Sequence, residues 1–262
     1  MHDLAFVLVG FLVGLVVGLT GVGGGSLMTP ILIFFFGIKP YLAIGTDLLF
    51  AAFTKMGGTV KLARAGQVDW RIVAHLSAGS IPAALLTLLV LRQFGPADPG
   101  VQSLMTTTLG GALLLTAAAT LYKALRRSQV LKSNISTADD ANKSRHWSLP
   151  LLLGAVIGTL VTLTSVGAGA IGVSVLMILY PLLPLPRIVA ADIAYAVPLT
   201  LVAGLGHASL GSVDWSLLVK LLAGSLPGIW IGSHLMAHTP ERAIRSLLSL
   251  LLAYAGLKLI TI

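Results

Sequence analysis

The sequence predicts an all-α polytopic membrane protein with two inverted structural repeats, each a short re-entrant helical hairpin followed by about three full transmembrane helices. Of the 262 residues, 56% are hydrophobic and 10% charged, and the mean hydropathy is +0.96, unlike the composition of soluble domains. Short motifs also recur about 145 positions apart, which indicates an internal repeat. Two glycine-rich interruptions at matching positions complete the pattern.

Ten apolar segments divide the chain into short and long pieces. They cover residues 4–19, 26–37, 41–63, 70–92 and 100–124, and then 149–163, 170–183, 187–209, 215–236 and 241–261. A transmembrane helix needs about 20 apolar residues. The first two segments of each half are shorter than that. We therefore expect each short pair to form a hairpin of half-depth helices and the other three segments to cross the membrane.

Glycines interrupt the first apolar pair. Residues 20–26 consist of Thr20, Gly21, Val22, Gly23, Gly24, Gly25 and Ser26. Such a cluster disfavours a helix, and backbone groups that leave a helix at membrane depth must be satisfied by protein, water or a ligand. About 144 positions later a second break contains Thr164, Ser165, Gly167 and Gly169. Paired breaks of this kind are typical of a transporter's binding site, although close packing of helices at small residues is an alternative explanation.

The repeat extends well beyond the breaks. Val68-Asp69-Trp70 recurs as Val213-Asp214-Trp215, and the run AGSIP at 78–82 recurs as AGSLP at 223–227. Asp47 corresponds to Asp192 at the same shift. These matches predict a first transmembrane repeat at residues 1–125, a polar linker at 126–147, and a second transmembrane repeat at 148–262.

Two residue types in the repeated motifs have predictable local roles. Asp69 and Asp214 each precede an apolar run that begins with Trp, so they are predicted to cap helix N-termini. Pro82 and Pro227 lie in the middle of the fourth segment of each half. A proline there removes one helical hydrogen bond, so we expect these helices to be kinked.

The positive charges predict orientation rather than a nucleic-acid partner. The net charge is +8, but most Lys and Arg residues lie in loops, as the positive-inside rule predicts. The loop between segments three and four contains Lys61, Arg64 and Arg71, whereas its counterpart at 206–213 contains no Lys or Arg. We therefore expect these equivalent loops to face opposite sides, with the first loop and the linker in the cytoplasm.

Three ionisable residues lie inside the predicted membrane segments and are candidates for a functional role: Asp47, Asp192 and Lys55. A charged side chain there costs about 2.5–3.5 kcal/mol, so it usually has a partner or a task. The two aspartates are candidates for a proton-coupling pair or for structural anchors of the glycine loops, and hydration near the interface is the alternative. Lys55 is a candidate for the positive charge of an anion site, unless it pairs locally or extends to the surface.

The remaining chemistry of the breaks suits a small anion. Exposed amides and hydroxyls at helix N-termini bind oxyanions. The substrate-binding candidates are Thr20, Gly21, Gly23, Gly24, Gly25, Ser26, Lys55, Thr164, Ser165, Gly167 and Gly169. The chain has no cysteine, and it has no metal-ligand spacing, nucleophile motif or complete phosphate-binding loop. We therefore expect neither an enzyme nor a protein with a metal or another cofactor.

Residues 14–30 (GLVVGLTGVGGGSLMTP), the turn Ile44-Gly45-Thr46-Asp47, and the later Val-Asp-Trp and Gly-Ser-Ile-Pro elements resemble the TauE/SafE sulfite exporter family. The resemblance covers nearly the whole chain apart from the linker. The second break is more divergent, with Ser165 and Ala168 where the first has Gly21 and Gly24. The resemblance implies a multi-pass transporter of the prokaryotic inner membrane for small sulfur-containing anions.

The function predicted from all of this is export of sulfite, sulfoacetate or a related organosulfonate by alternating access. An anion channel, or a transporter of another small organic anion, is the alternative. A membrane scaffold belongs to a different class and would bind a protein partner rather than a solute. The expected partners are the small anion and membrane lipid, without nucleic acid, and a homodimer is left open.

Overall fold

The computed structural model describes residues 2–20, 25–126, 148–235 and 241–260. These residues form ten α-helices and no β-strand. The first five are α1 (His2–Thr20), α2 (Gly25–Phe36), α3 (Pro40–Arg64), α4 (Trp70–Phe94) and α5 (Pro99–Arg126). The second five are α6 (Ser148–Thr164), α7 (Ala170–Leu179), α8 (Leu185–Ser209), α9 (Trp215–Leu235) and α10 (Glu241–Ile260).

Most helix ends lie within two residues of the predicted segments. The exception is α7, which ends at Leu179 rather than near residue 183. The backbone amide of Tyr180 still reaches the Leu176 carbonyl, and a turn follows. Pro181 and Pro184 account for the early end, because proline has no amide to donate and restricts the residue before it.

The predicted caps are present. The Asp69 carboxylate accepts hydrogen bonds from the backbone amides of Arg71 and Ile72 at 3.0 and 3.3 Å, and Asp214 accepts one from Leu217 at 2.9 Å. In the preceding turns the equivalent glycines Gly66 and Gly211 have φ angles of 65° and 69°. This left-handed conformation favours glycine, so the two halves make the same turn with the same residue type.

The helices differ in how well they suit a membrane. Within the described residues, α4, residues 99–121 of α5, α8 and α9 are long and apolar enough to cross a bilayer. Helix α3 is as long as α4, but it contains Asp47, Lys55, Lys61 and Arg64. Helices α2 and α7 have 12 and 10 residues and are therefore about 18 and 15 Å long. The described chain is thus a polytopic helical membrane protein with short helices beside long ones.

Each half packs its first helix on the other half. Helix α1 contacts α9, and α6 contacts α4, while α3 pairs with α8 and α5 pairs with α10. These pairs stay the same when the first five helices are exchanged with the second five. Neither half therefore buries its apolar surface without the other.

Glycines set the close approach and the relative direction of these helices. Along α1, a Cβ atom at Gly18 would lie 2.5 Å from the carbonyl oxygen of Ile229 in α9, and Gly10 faces Leu221. Residue numbers thus rise together, so α1 and α9 are parallel. In the central pair Gly45 of α3 faces Ser212, which follows α8, and Gly58 faces Ile193, so α3 and α8 are antiparallel. Small residues at such contacts are typical of membrane helix packing.

Helix α3 lies at the centre of the molecule. All residues from 43 to 52 are buried, including Asp47. By contrast, α4, α9 and α10 each expose large apolar side chains, such as Leu86, Trp230 and Leu250. An apolar outside around a partly polar centre is what a protein in lipid requires.

Candidate functional site

Each aspartate predicted to lie within a membrane segment contacts the short helix of its own half. The carboxylate of Asp47 in α3 accepts a hydrogen bond from the hydroxyl of Thr29 in α2. In the second half, the carboxylate of Asp192 in α8 contacts Gly172, in the first turn of α7. A side chain at residue 172 would collide with that carboxylate. Both carboxylates are fully buried. They therefore lie near the N-terminal turns of the short helices, where a helix dipole favours negative charge.

Lys55 crosses from the first half to the second break. Its side chain is buried, and its ammonium donates a hydrogen bond of 3.0 Å to the backbone carbonyl of Ala168. It interacts electrostatically with both Asp192 and Asp47. The lysine therefore does not extend to the membrane surface, which was one of the two alternatives for it.

The second break is a non-helical segment between α6 and α7. Gly167 and Gly169 have φ angles of 134° and 140°. Ser165 has a φ of 59°, a backbone conformation that residues other than glycine rarely adopt. The hydroxyl of Thr164 donates to the Leu160 carbonyl and accepts from the Val166 amide at 3.1 Å. Thr164 thus shapes the break, and its hydroxyl is already engaged.

Ser165 brings the break close to the first carboxylate. Its side chain lies beside Asp47 without reaching hydrogen-bond geometry. In the described part of the chain neither the Ser165 hydroxyl nor Oδ1 of Asp47 has a hydrogen-bond partner, although both are buried. Buried polar atoms usually have a partner, so these two would be satisfied by a small shift that joins them, by a water or by a ligand.

The site therefore combines residues from both halves. The first half contributes Thr29, Asp47 and Lys55, and the second contributes Asp192 and the segment at 165–169. With all three side chains ionised, the cluster carries one excess negative charge. A negatively charged ligand at this position would need additional positive charge, a proton or helix amides.

The first break is only partly described. Gly21, Gly23 and Gly24, which are predicted to bind the substrate, lie outside the described residues. Thr20 ends α1 and Gly25 begins α2. Ser26 is buried in the first turn of α2.

Two further buried polar groups lie near the site, and Tyr195 is the one of them that had no signal in the sequence. The hydroxyl of Tyr195 lies near Ser80 and interacts electrostatically with Asp192. Thr46, next to Asp47, accepts a hydrogen bond of 3.0 Å from the backbone amide of Asp214. A tyrosine in an apolar segment is usually a packing residue, so only its neighbours in space reveal such a position.

No group of three or more His, Asp or Glu side chains in the described ranges could hold a metal ion. His207 is the most buried histidine there, and one ring nitrogen lies 2.9 Å from the Thr162 carbonyl. Its contact is with the backbone of α6.

Comparison with known proteins assigns this arrangement to a family. A family model described as "Sulfite exporter TauE/SafE" matches residues 6–259. The "Probable membrane transporter protein YjnA" of Bacillus subtilis is 35% identical over 98% of this chain and all of its own length. YdhB of the same organism, also named a probable membrane transporter protein, is 30% identical over 97% of this chain and 98% of its own. MJ0441 of Methanocaldococcus jannaschii, named likewise, is 26% identical over 76% of this chain and 69% of its own. No solved structure matches.

Proposed function

Since the chain belongs to the sulfite exporter TauE/SafE family and is a multi-pass membrane transporter rather than an enzyme, we propose that it exports small sulfur-containing anions across the prokaryotic plasma membrane. Sulfite, sulfoacetate and related organosulfonates are the substrates in view. One observation carries the site assignment: the buried ammonium of Lys55, 3.0 Å from the Ala168 carbonyl of the second break.

The architecture proposed is two inverted repeats with alternating access. Equivalent helices α3 and α8 run antiparallel, as a two-fold axis in the membrane plane requires. The contact between Phe6 in α1 and Phe36 in α2, with ring centroids 4.6 Å apart, supports a reversal of the chain at the first break. The proposed units are the repeats 1–125 and 148–262, joined by the linker 126–147. A single chain offers no support for a homodimer.

The proposed substrate site lies between the two breaks. The first amides of α2 and α7 lack partners within their own helices, so they can donate to an oxyanion. Ser26 and Ser165 would contribute hydroxyls, and Gly25, Gly167 and Gly169 would allow close approach of the backbone. Thr20, Gly21, Gly23, Gly24 and Thr164 remain members of the proposed site by sequence position. Lys55 would supply the positive charge that an anion needs beside two carboxylates.

Two driving forces are compatible with this site. An inside-negative potential of about 100 mV favours exit of a monovalent anion by about 2.3 kcal/mol. Alternatively, a proton on Asp47 or Asp192 accompanies the anion and offsets the negative charge of the cluster. Asp47→Asn distinguishes them: if the aspartates are coupling groups, flux driven by a pH gradient is lost and potential-driven flux persists. Loss of both fluxes would contradict that division of roles.

The substrate class is tested by ligand-induced stabilisation of the purified protein. A ligand that binds only the folded state raises the melting temperature saturably. We expect such a rise with one of sulfite, sulfoacetate, taurine or thiosulfate, and none with sulfate or chloride. In buffer without sodium, Lys55→Ala should shift the rise to about 10- to 100-fold higher anion concentration, whereas Lys61→Ala, which removes an exposed lysine of the same helix, should not. No rise with any sulfur anion would contradict the substrate assignment and favour another organic anion.

Transport assays separate the carrier from the channel. A carrier gives saturable flux and accelerated exchange when substrate is present on both sides. A channel gives flux that rises in proportion to concentration, without exchange.

A further inference from the structure

The Lys55 ammonium, itself a monovalent cation, contacts one backbone carbonyl and interacts with two buried carboxylates. The Ala168 carbonyl, 3.0 Å from the ammonium, belongs to the unwound backbone of the second break, between the end of α6 at Thr164 and the start of α7 at Ala170. Asp47 and Asp192 interact with the same ammonium from α3 and α8. In transporters with broken helices, unwound carbonyls and helix C-terminal ends coordinate sodium ions or protons.

Two neighbouring oxygens have unused capacity. Oδ1 of Asp47 and the hydroxyl of Ser165 are buried and lack hydrogen-bond partners among the described residues. The Ser165 side chain lies beside Asp47. Carbonyl, carboxylate and hydroxyl oxygens are the ligands that hard cations prefer. Removing the ammonium would therefore leave two buried carboxylates and a carbonyl without a positive charge, an arrangement that attracts a soluble cation.

The two halves differ at this position. The repeat shift aligns Lys55 with Thr200, whose hydroxyl donates to the Ala196 carbonyl of its own helix at 2.8 Å. A built-in positive charge is therefore present on α3 but not at the equivalent point of α8. A threonine is also an accepted residue at this helical position, which makes Lys55→Thr a conservative way to remove the charge.

We propose that Lys55 is a tethered substitute for a coupling cation, and that its position becomes a sodium site when the ammonium is removed. This inference rests on the proposed anion transport only where it concerns coupling. The wild-type protein then needs no sodium, because the lysine already supplies a positive charge beside the carboxylates. In the Lys55→Thr variant, sodium takes over that charge, and anion binding becomes sodium-dependent.

The test compares sodium chloride with choline chloride at equal ionic strength. Without any anionic substrate, the melting temperature of Lys55→Thr should rise saturably with sodium and not with choline. With sulfite added, the affinity of the variant should be about 10- to 100-fold lower in choline, the loss expected for a contact to a charged group, and recover in sodium. Lys55→Arg, which keeps the charge, and Lys61→Thr, which removes an exposed one, should not respond to sodium.

Several results would overturn the inference. A sodium requirement in the wild type would do so, whether or not the variant folds. A Lys55→Thr variant that is stable but whose melting temperature does not respond to sodium would also overturn it. So would a variant that cannot be purified in either salt, since sodium should replace the missing charge. If the wild type binds no sulfur anion while the variant still binds sodium, the proposed substrate fails and the cation site stands.

Discussion

The hydrogen bond between Thr29 and Asp47 should be among the most costly single contacts to remove. Both side chains are completely buried, and the bond joins α2 to α3. Thr29→Val keeps the shape of the side chain and removes only the hydroxyl. A hydrogen bond to a charged group contributes about 1.5–3 kcal/mol. Because the other oxygen of Asp47 already lacks a described hydrogen-bond partner, we expect Thr29→Val to lower the free energy of unfolding by about 1.5–3 kcal/mol.

The measurement is thermal unfolding in detergent, followed by the fluorescence of the four Trp residues. At about 2–4 °C per kcal/mol for a chain of this size, the apparent melting temperature should fall by about 3–12 °C. The control is Thr159→Val, since Thr159 is exposed and its hydroxyl donates only to its own helix, at Ala155. That control should stay within about 0.5 kcal/mol.

A double-mutant cycle decides whether the effect belongs to this bond. In an Asp47→Ala background, Thr29→Val should cost less than about 0.5 kcal/mol, because its partner is gone. Equal losses in both backgrounds would refute the reasoning, since they would mean that valine disturbs packing instead.

Three further predictions concern packing, capping and orientation. Gly158→Ala should lower the melting temperature by the equivalent of about 1–3 kcal/mol, because the new Cβ would lie 2.7 Å from Cα of Ser80 in α4. Gly111→Ala, the control, places its Cβ in open space and should leave the melting temperature unchanged. Asp69→Ala should cost about 0.5–2 kcal/mol and Asp69→Asn much less, measured in the same unfolding assay, because asparagine can still accept from the two amides. In the cysteine-free chain, a membrane-impermeant maleimide added to whole cells should label Ser209→Cys but not Gln67→Cys; labelling of both would contradict inverted repeats.

Sequence alone was sufficient for the helices and for several of their ends. Apolar run length, glycine and proline positions and capping aspartates act over a few residues, so they can be identified without tertiary structure. Asp69 and Asp214 cap helices as predicted, and only α7 ends appreciably before its predicted end, because the prolines that follow Leu179 stop the helix. The family resemblance rested on equally local motifs.

The sequence also singled out the three ionisable residues that lie together in the candidate site, since charge is rare and costly inside a membrane protein. It could not identify their partners. Lys55 donates to a backbone carbonyl 113 positions away, and one carbonyl cannot be told from another in a sequence. Nor could the sequence reveal that α1 packs on α9 and α6 on α4, although the glycines that allow it are visible.

The division has a physical cause. Whether a segment forms a helix, and where that helix starts and stops, depends mainly on neighbouring residues and on the solvent that they tolerate. Which helices meet, and at what depth Lys55 lies relative to the second break, depends on how the two halves fit together. The charges of the site were therefore determined by the sequence alone, and their arrangement around Ala168 was decided only by tertiary packing.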